Sequence, residues 1–386
     1  MNKNYISLSE PIIFGNEIAN IKKAIIQNDL VTGDFIEKFE KKIKNYLSIK
    51  YSLACINGTA ALHIALKVLG INKNEEVIVP TLTFIATINS VIYNQAYPIF
   101  MDSDHSFNID ENKIFKFINE NTYFKNNKTY NKKTKRRIFA IIVTHVWGNA
   151  ANLEKVLILC KKKNIKVVED ATESLGSKYI KGRLKNNFTG TVGDIGCISF
   201  NGNKIITSAG GGMILTNNKN YYEKAKLYIN QYKTDSIFFK HDAVGYNYRI
   251  SNLQSALGFS QLTNLNKVLK LKKNIHHTYK KYINNIRGLE LLTTSNYSLN
   301  NNWMNILLLK NYPLSRNQLI SVFKKNKIEV RPVWHLNHDQ KMFKKYEKFE
   351  ISKSRELVKN SVCLPSSSSL TLQNINRIID ILKNNA

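Results

Sequence analysis

Cysteine is scarce in this 386-residue chain: Cys55, Cys160, Cys197 and Cys363 stand far apart, with no CxxC pair and no regular spacing. That pattern argues against a disulfide framework or a cysteine zinc site and for reduced thiols, mostly buried as small hydrophobes. Long apolar runs are missing too, and none approaches the roughly 20 residues that span a bilayer. The opening residues, MNKNYISLSEPIIFGNE, lack the basic-then-apolar order of a secretory leader. Together these absences predict a cytoplasmic protein with no membrane partner.

Acidic residues are also few, 28 against 57 basic ones, which gives a net charge of +29. Such an excess raises nucleic acid as a partner. The basic runs KNNKTYNKKTKRR, CKKKNIK and LKLKKN lie in separate segments, however. None carries an RNA-recognition, helix-turn-helix or zinc-finger signature, so no nucleic-acid partner is expected. A positive surface would equally attract a small anionic substrate. Among the eight histidines, His335 and His338 form an H-x-x-H pair. No clustered carboxylate or cysteine supports it, so no metal is expected.

What the chain does have is alternation. YSLACI, EEVIVP, YPIFMD, RIFAIIVTH and IKVVEDA read as strands. NGTAALHIALKVLG, TFIATINSVIYN and NLEKVLILCKKKN read as the helices between them. Continuously apolar strands separated by helices indicate an α/β fold with a mostly parallel sheet covered on both faces. Upstream, Ile36, Phe39, Ile43 and Tyr46 share one face of a helix that follows Thr32-Gly33. Residues 119–137 interrupt the alternation as a basic surface excursion, read as a hairpin. Residues 1–250 form the large domain on this reading, and 251–386 a smaller mixed α+β domain.

Ligands of parallel sheets bind beyond the carboxyl ends of the strands. Four strand exits carry suggestive residues. Asn57-Gly58-Thr59 opens a helix, where backbone N–H groups and the helix dipole favour phosphate; simple capping is the bland alternative. Asp170 ends a buried strand and needs a cationic partner or several donors. Ser199 and Lys204 leave another strand together in SFNGNKIITSAGGG. Phe84, in VPTLTFIAT, can lay a flat ring on a planar ligand. His145, at the end of AIIVTH, reads as a polar group lining the same cleft.

Each signal is weak alone, but the set is specific. A phosphate cradle, a carboxylate, an aromatic face and a lysine meet the needs of pyridoxal 5'-phosphate. The lysine forms a Schiff base with the cofactor aldehyde, and the carboxylate keeps the pyridine nitrogen protonated.

At these residues the chain resembles the DegT/StrS-type sugar aminotransferases, of fold-type I. The motifs TGDFIEKFE, NGTAALHIAL, VIVPTLTFIAT, VTHVWGNAANL, EDATESLGSKY, GDIGCISFNGNKIITSAGGGMILT, YNYRISNLQSALG and VRPVW occur in the family's order. The resemblance implies that Lys204 carries the cofactor and moves protons. It implies that Asp170 pairs with the pyridinium, Glu173 sits beside the ring and Phe84 stacks on it. Gly58, Thr59 and Ser199 would hold the phosphate, and Asn247 would reach the phosphate of a neighbouring subunit in a homodimer. Thr32, Gly33, Arg331 and His338 match segments on the sugar-nucleotide side. Within the family, the motifs and the basic insertion look most like the legionaminic-acid-type branch. That branch aminates a UDP-4-keto-6-deoxy-N-acetylglucosamine with L-glutamate. The alternatives are an aminotransferase on a dTDP- or GDP-linked keto sugar and a non-catalytic regulatory or binding protein on the same fold; the latter has no need of Lys204.

Overall fold

Side chains that alternate along a strand point to opposite faces of a sheet, and this sheet uses both. The computed structural model describes residues 5–386. Its main sheet has eight strands: β1 (Tyr51–Cys55), β2 (Glu76–Pro80), β3 (Tyr97–Met101), β4 (Ile138–Thr144), β5 (Lys166–Asp170), β6 (Ile195–Ser199), β7 (Gly212–Thr216) and β8 (Lys348–Phe349). Their order is β1-β7-β6-β5-β4-β2-β3-β8. Strand β7 runs antiparallel to both its neighbours, and every other pair in this sheet is parallel.

Val77, Val79, Ala140 and Ile142 enter one apolar cluster, together with the helix Gly58–Leu69. Ile78, Ile141 and Val143 enter another, with the helices Glu111–Glu120 and Glu154–Lys163 on the opposite face. Both faces are thus covered, which is why these strands read as continuous apolar runs rather than alternating ones.

A second, four-stranded antiparallel sheet is built from Leu289–Leu291, Asn305–Leu309, Ser361–Leu364 and Arg331–Pro332. Helices Leu265–Ile283, Arg316–Lys325 and Leu372–Lys383 share its apolar cluster. The helix that follows residue 250, Asn252–Thr263, packs on the N-terminal helices Asn16–Ile26 and Asp34–Leu47. Leu265–Ile283 then bridges the two units: Leu265 and Val268 lie in the core of the first, and Ile275, Tyr279 and Ile283 in that of the second.

The basic excursion is a hairpin, Thr122–Lys125 paired with Lys128–Asn131. Thr129 Oγ1 donates to the Lys163 carbonyl at 2.6 Å, and Asn131 Nδ2 to Glu76 Oε2 at 3.0 Å. Those anchors lie at the amino ends of the parallel strands. All four cysteines are buried and unpaired. Among the described residues no helix is long and apolar enough to cross a membrane.

Candidate active site

Beyond the carboxyl ends of β5 and β6 the strand exits enclose a cavity of about 460 Å³. Gly58, Thr59, Phe84, Asp170, Glu173, Ser199 and Lys204 all line it. Residues more than 140 positions apart in the chain are thereby gathered on one wall.

Asp170 ends β5 and is only 2% exposed. Its Oδ2 accepts from Thr87 Oγ1 at 2.6 Å and Thr144 Oγ1 at 3.3 Å. Its Oδ1 accepts from Thr172 Oγ1 at 2.7 Å and the Thr172 N–H at 3.2 Å. Burial of a carboxylate is costly without compensation; here neutral donors supply it. Among the described residues no cationic side chain pairs with it. Its charge is available to a positively charged group in the cavity.

Lys204 lies in the turn after β6, and its Nζ stands 3.7 Å from Glu173 Oε1. The buried Glu173 carboxyl is pushed up to about 7, first by desolvation; Lys204 and the Trp147 N–H pull the other way. That N–H donates to Glu173 Oε2 at 2.9 Å. An acid held near neutrality beside an amine can give or take a proton at physiological pH.

The third corner is the start of the helix Gly58–Leu69. Asn57 caps it, accepting the Ala60 N–H on Oδ1 at 2.8 Å, so capping and ligand binding share one turn. Gly58 packs directly on Ser199: a Cβ there would stand 2.8 Å from the Ser199 Cβ. The result is a bare backbone approach at a helix N-terminus, next to a serine hydroxyl, which suits a phosphate. Phe84 precedes the helix Ala86–Tyr93 and is 53% exposed despite its size. It covers the cavity mouth rather than filling the core.

Other expected residues lie elsewhere. His145 does not line the cavity: it is fully buried, bonds Glu169 through Nε2 at 3.0 Å and accepts the Ala151 N–H on Nδ1. Glu169 precedes Asp170 and so faces the other side of the sheet, and His145 follows it there. His338 does not line the cavity either. It is 2% exposed, with Nδ1 2.5 Å from Thr81 Oγ1 and Nε2 facing Arg355 and Asp339. Arg331 is exposed and donates to Glu329 Oε1 at 2.8 Å. Thr32 is exposed, and Gly33 starts the helix Asp34–Leu47 at φ 154°, where a Cβ would strike the Asn252 amide at 2.5 Å. Asn247 is exposed and pairs with Asn230 in an isolated bridge. None of these six lines the cavity of this single chain.

Two tryptophans do line it and were not anticipated: Trp303, from the second unit, and Trp334, in the VRPVW segment. Thr87, the donor to Asp170, and Gln254 were also missed. Local sequence offered no sign of them except the VRPVW motif itself.

The residues present fit pyridoxal phosphate: a buried carboxylate without a cation, a lysine beside a proton-carrying acid, an aromatic cover and a side-chain-free helix start. A mostly parallel sheet with this site beyond its strand ends defines a fold-type I transferase. The chain belongs to the DegT/DnrJ/EryC1/StrS aminotransferase family, whose model matches residues 11–383. It is 33% identical to GDP-perosamine synthase of Escherichia coli O157:H7, covering 96% of each chain. It is 32% identical to UDP-4-amino-4,6-dideoxy-N-acetyl-beta-L-altrosamine transaminase of Campylobacter jejuni, over 72% of this chain and 69% of the relative. Spr1654 of Streptococcus pneumoniae, solved in a PLP-form, superposes with a TM-score of 0.87 over 98% of each chain. At 20% identity that last likeness shows the fold.

Proposed function

We propose that the chain is a pyridoxal phosphate-dependent aminotransferase acting on a nucleotide-linked sugar. On this reading it moves the amino group of L-glutamate to the 4-keto carbon of a 4-keto-6-deoxy sugar. The observation that carries the reading is that Lys204, Glu173 and an Asp170 without a cationic partner share one cavity. The acceptor we favour is UDP-4-keto-6-deoxy-N-acetylglucosamine, on the likeness to the Campylobacter transaminase and on the motifs above. The full-length likeness to a GDP-perosamine synthase supports a second reading, a GDP-linked acceptor. Either product would enter surface-glycan or nonulosonic-acid synthesis. The working form on this reading is a cytoplasmic homodimer, with the exposed Asn247 offered to the second copy's site.

When bound, the cofactor supplies an electron sink for cleavage of the C–H bond of the amino acid. Gly58, Thr59 and Ser199 would hold its phosphate, Phe84 would cover its ring and Asp170 would pair with its ring nitrogen. Lys204 Nζ would anchor the cofactor covalently, and its amine is the group placed to take the substrate proton and return it. Glu173 keeps that proton in the cavity, since its carboxyl exchanges protons near pH 7. Phe84 and the tryptophans exclude water from the reacting atoms.

Purified protein tests this directly. A visible cofactor band should disappear on adding L-glutamate, and borohydride should fix the cofactor on Lys204. Lys204→Ala should abolish transfer while the chain still folds. A colourless protein, or a trapped adduct on another lysine, refutes the assignment. Offering UDP-, GDP- and dTDP-linked 4-keto sugars in turn decides the carrier.

A further inference from the structure

The chain has three tryptophans, and Trp147, Trp303 and Trp334 form one stack beside the cavity. The Trp147 ring centroid is 3.9 Å from that of Trp334 and 6.1 Å from that of Trp303, both pairs inclined by 22°. Trp303 is the member that reaches Lys204, whose Nζ stands 4.5 Å from its ring centroid.

Trp303 is only 4% exposed and is held at every polar atom. Its indole N–H donates to the carbonyl of Asn203, next to Lys204 in the chain, at 2.6 Å. Its backbone N–H donates to Asn301 Oδ1 at 2.9 Å. Asn301 Nδ2 in turn donates to the carbonyls of Glu173 and Leu175. From the helix Leu265–Ile283, Lys272 Nζ donates to the Trp303 carbonyl at 3.2 Å. One short loop of the second unit therefore ties the Lys204 turn to the Glu173 turn.

We propose that Trp303 is a positioning residue for Lys204. Its ring face holds the ammonium form of the lysine between the indole and the Glu173 carboxyl whenever the nitrogen is not bonded to cofactor. The aromatic quadrupole attracts a cation lying over the ring. Without it, a four-carbon side chain is free to swing to the cavity mouth, and the proton it carries leaves the reacting atoms. The inference rests on the reading of Lys204 as the reactive lysine. The other charged groups lining the cavity are Asp170 and Glu173. Fluorine on the indole leaves both side chains and the hydrogen bonds of the Trp303 loop in place, so the ring's share is separable.

The test uses the full-length chain with cofactor removed. Lys204 is acylated by acetic anhydride across a pH series, and its modification, read by mass spectrometry, gives the ionisation midpoint of the amine. Fluorine withdraws electron density from the ring without changing its packing. Proteins made with mono-, di- and trifluorotryptophan should therefore show midpoints that fall stepwise. Among the described residues neither Trp147 nor Trp334 has a cation over its ring, so Trp303 carries the effect. Trp303→Leu should lower the midpoint by about 0.4–1.5 pH units, the range a cation–π contact spans, and Trp303→Phe by less. The fluorine series stands alone if Trp303→Leu does not fold. A midpoint that stays flat along the series overturns the proposal. Borohydride trapping on the loaded protein separates the two ideas: an adduct on another lysine refutes the role of Lys204 in catalysis, whatever the titration gives.

Discussion

Lys204 Nζ and Glu173 Oε1 stand 3.7 Å apart in a wall from which water is largely excluded, and the Glu173 carboxyl is pushed up to about 7. Desolvation dominates that shift, so the carboxyl prefers its neutral form until the pH passes neutrality. Folding therefore favours the protonated acid. The stabilisation is complete below pH 4.5 and is lost as the pH rises through about 7. Glu173→Gln has no proton to lose. Its melting temperature relative to the parent should be higher at pH 8 than at pH 5, and equal offsets at the two pH values contradict the shift. Transfer should slow by about 10²-fold and lose its inflection near neutrality, the usual size of a lost acid–base group.

Asp170 gives the second expectation. Its oxygens are satisfied by Thr87, Thr144 and Thr172, and Asn can keep part of that set. Asp170→Asn should therefore fold and still bind cofactor. It removes the negative charge that faces the ring nitrogen, and the glutamate half-reaction should fall by about 10²–10³-fold, as for other lost electrostatic stabilisers. Stopped-flow absorbance with glutamate measures it. A variant as fast as the parent would show that Asp170 serves the fold alone.

Much of this site was legible in the chain because chemistry-bearing residues stand out against apolar strands. Asp170 ends VVED, and Lys204 follows CISF, so each was placed at the carboxyl end of a strand by pattern alone. Sidedness was harder. Glu169 and Asp170 are adjacent, yet the sheet sends one to His145 and the other to the cavity. The alternation that sorts them is visible only once the strand register is known. Contacts between distant segments were hidden altogether. Asn252 shapes the turn at Gly33, donating to the Asp29 carbonyl and accepting the Phe35 N–H. Trp303 meets Lys204 across a unit boundary. No local periodicity records either meeting.

The bare helix start gives a third expectation. A methyl group at residue 58 would come within 2.8 Å of the Ser199 Cβ and 3.1 Å of its Oγ. Gly58→Ala must push the serine or the helix aside, an overpacking cost of about 1–3 kcal/mol. That displacement falls on the phosphate corner, so cofactor affinity should drop by about 5- to 150-fold. Absorbance titration of the cofactor-free chain measures it. Unchanged affinity would place the phosphate elsewhere.

Lys272 gives the last. It is 2% exposed beneath the loop that carries Trp303. It donates to the Trp303 carbonyl at 3.2 Å and closely to that of Ser366. Burial lowers its amine to about 7. The folded chain thus binds this proton less tightly than the unfolded one. The stability it contributes is present above pH 10.5 and is lost as the pH falls through about 7. Lys272→Met removes the titration and leaves two carbonyls without their donor, a cost of about 1–3 kcal/mol each where burial is complete. The variant should melt below the parent at pH 9, and the gap should narrow steadily toward pH 6. A constant gap would mean that Lys272 keeps an ordinary amine. Because the same bond holds Trp303, the Lys204 acylation midpoint should also fall in Lys272→Met, by less than in Trp303→Leu.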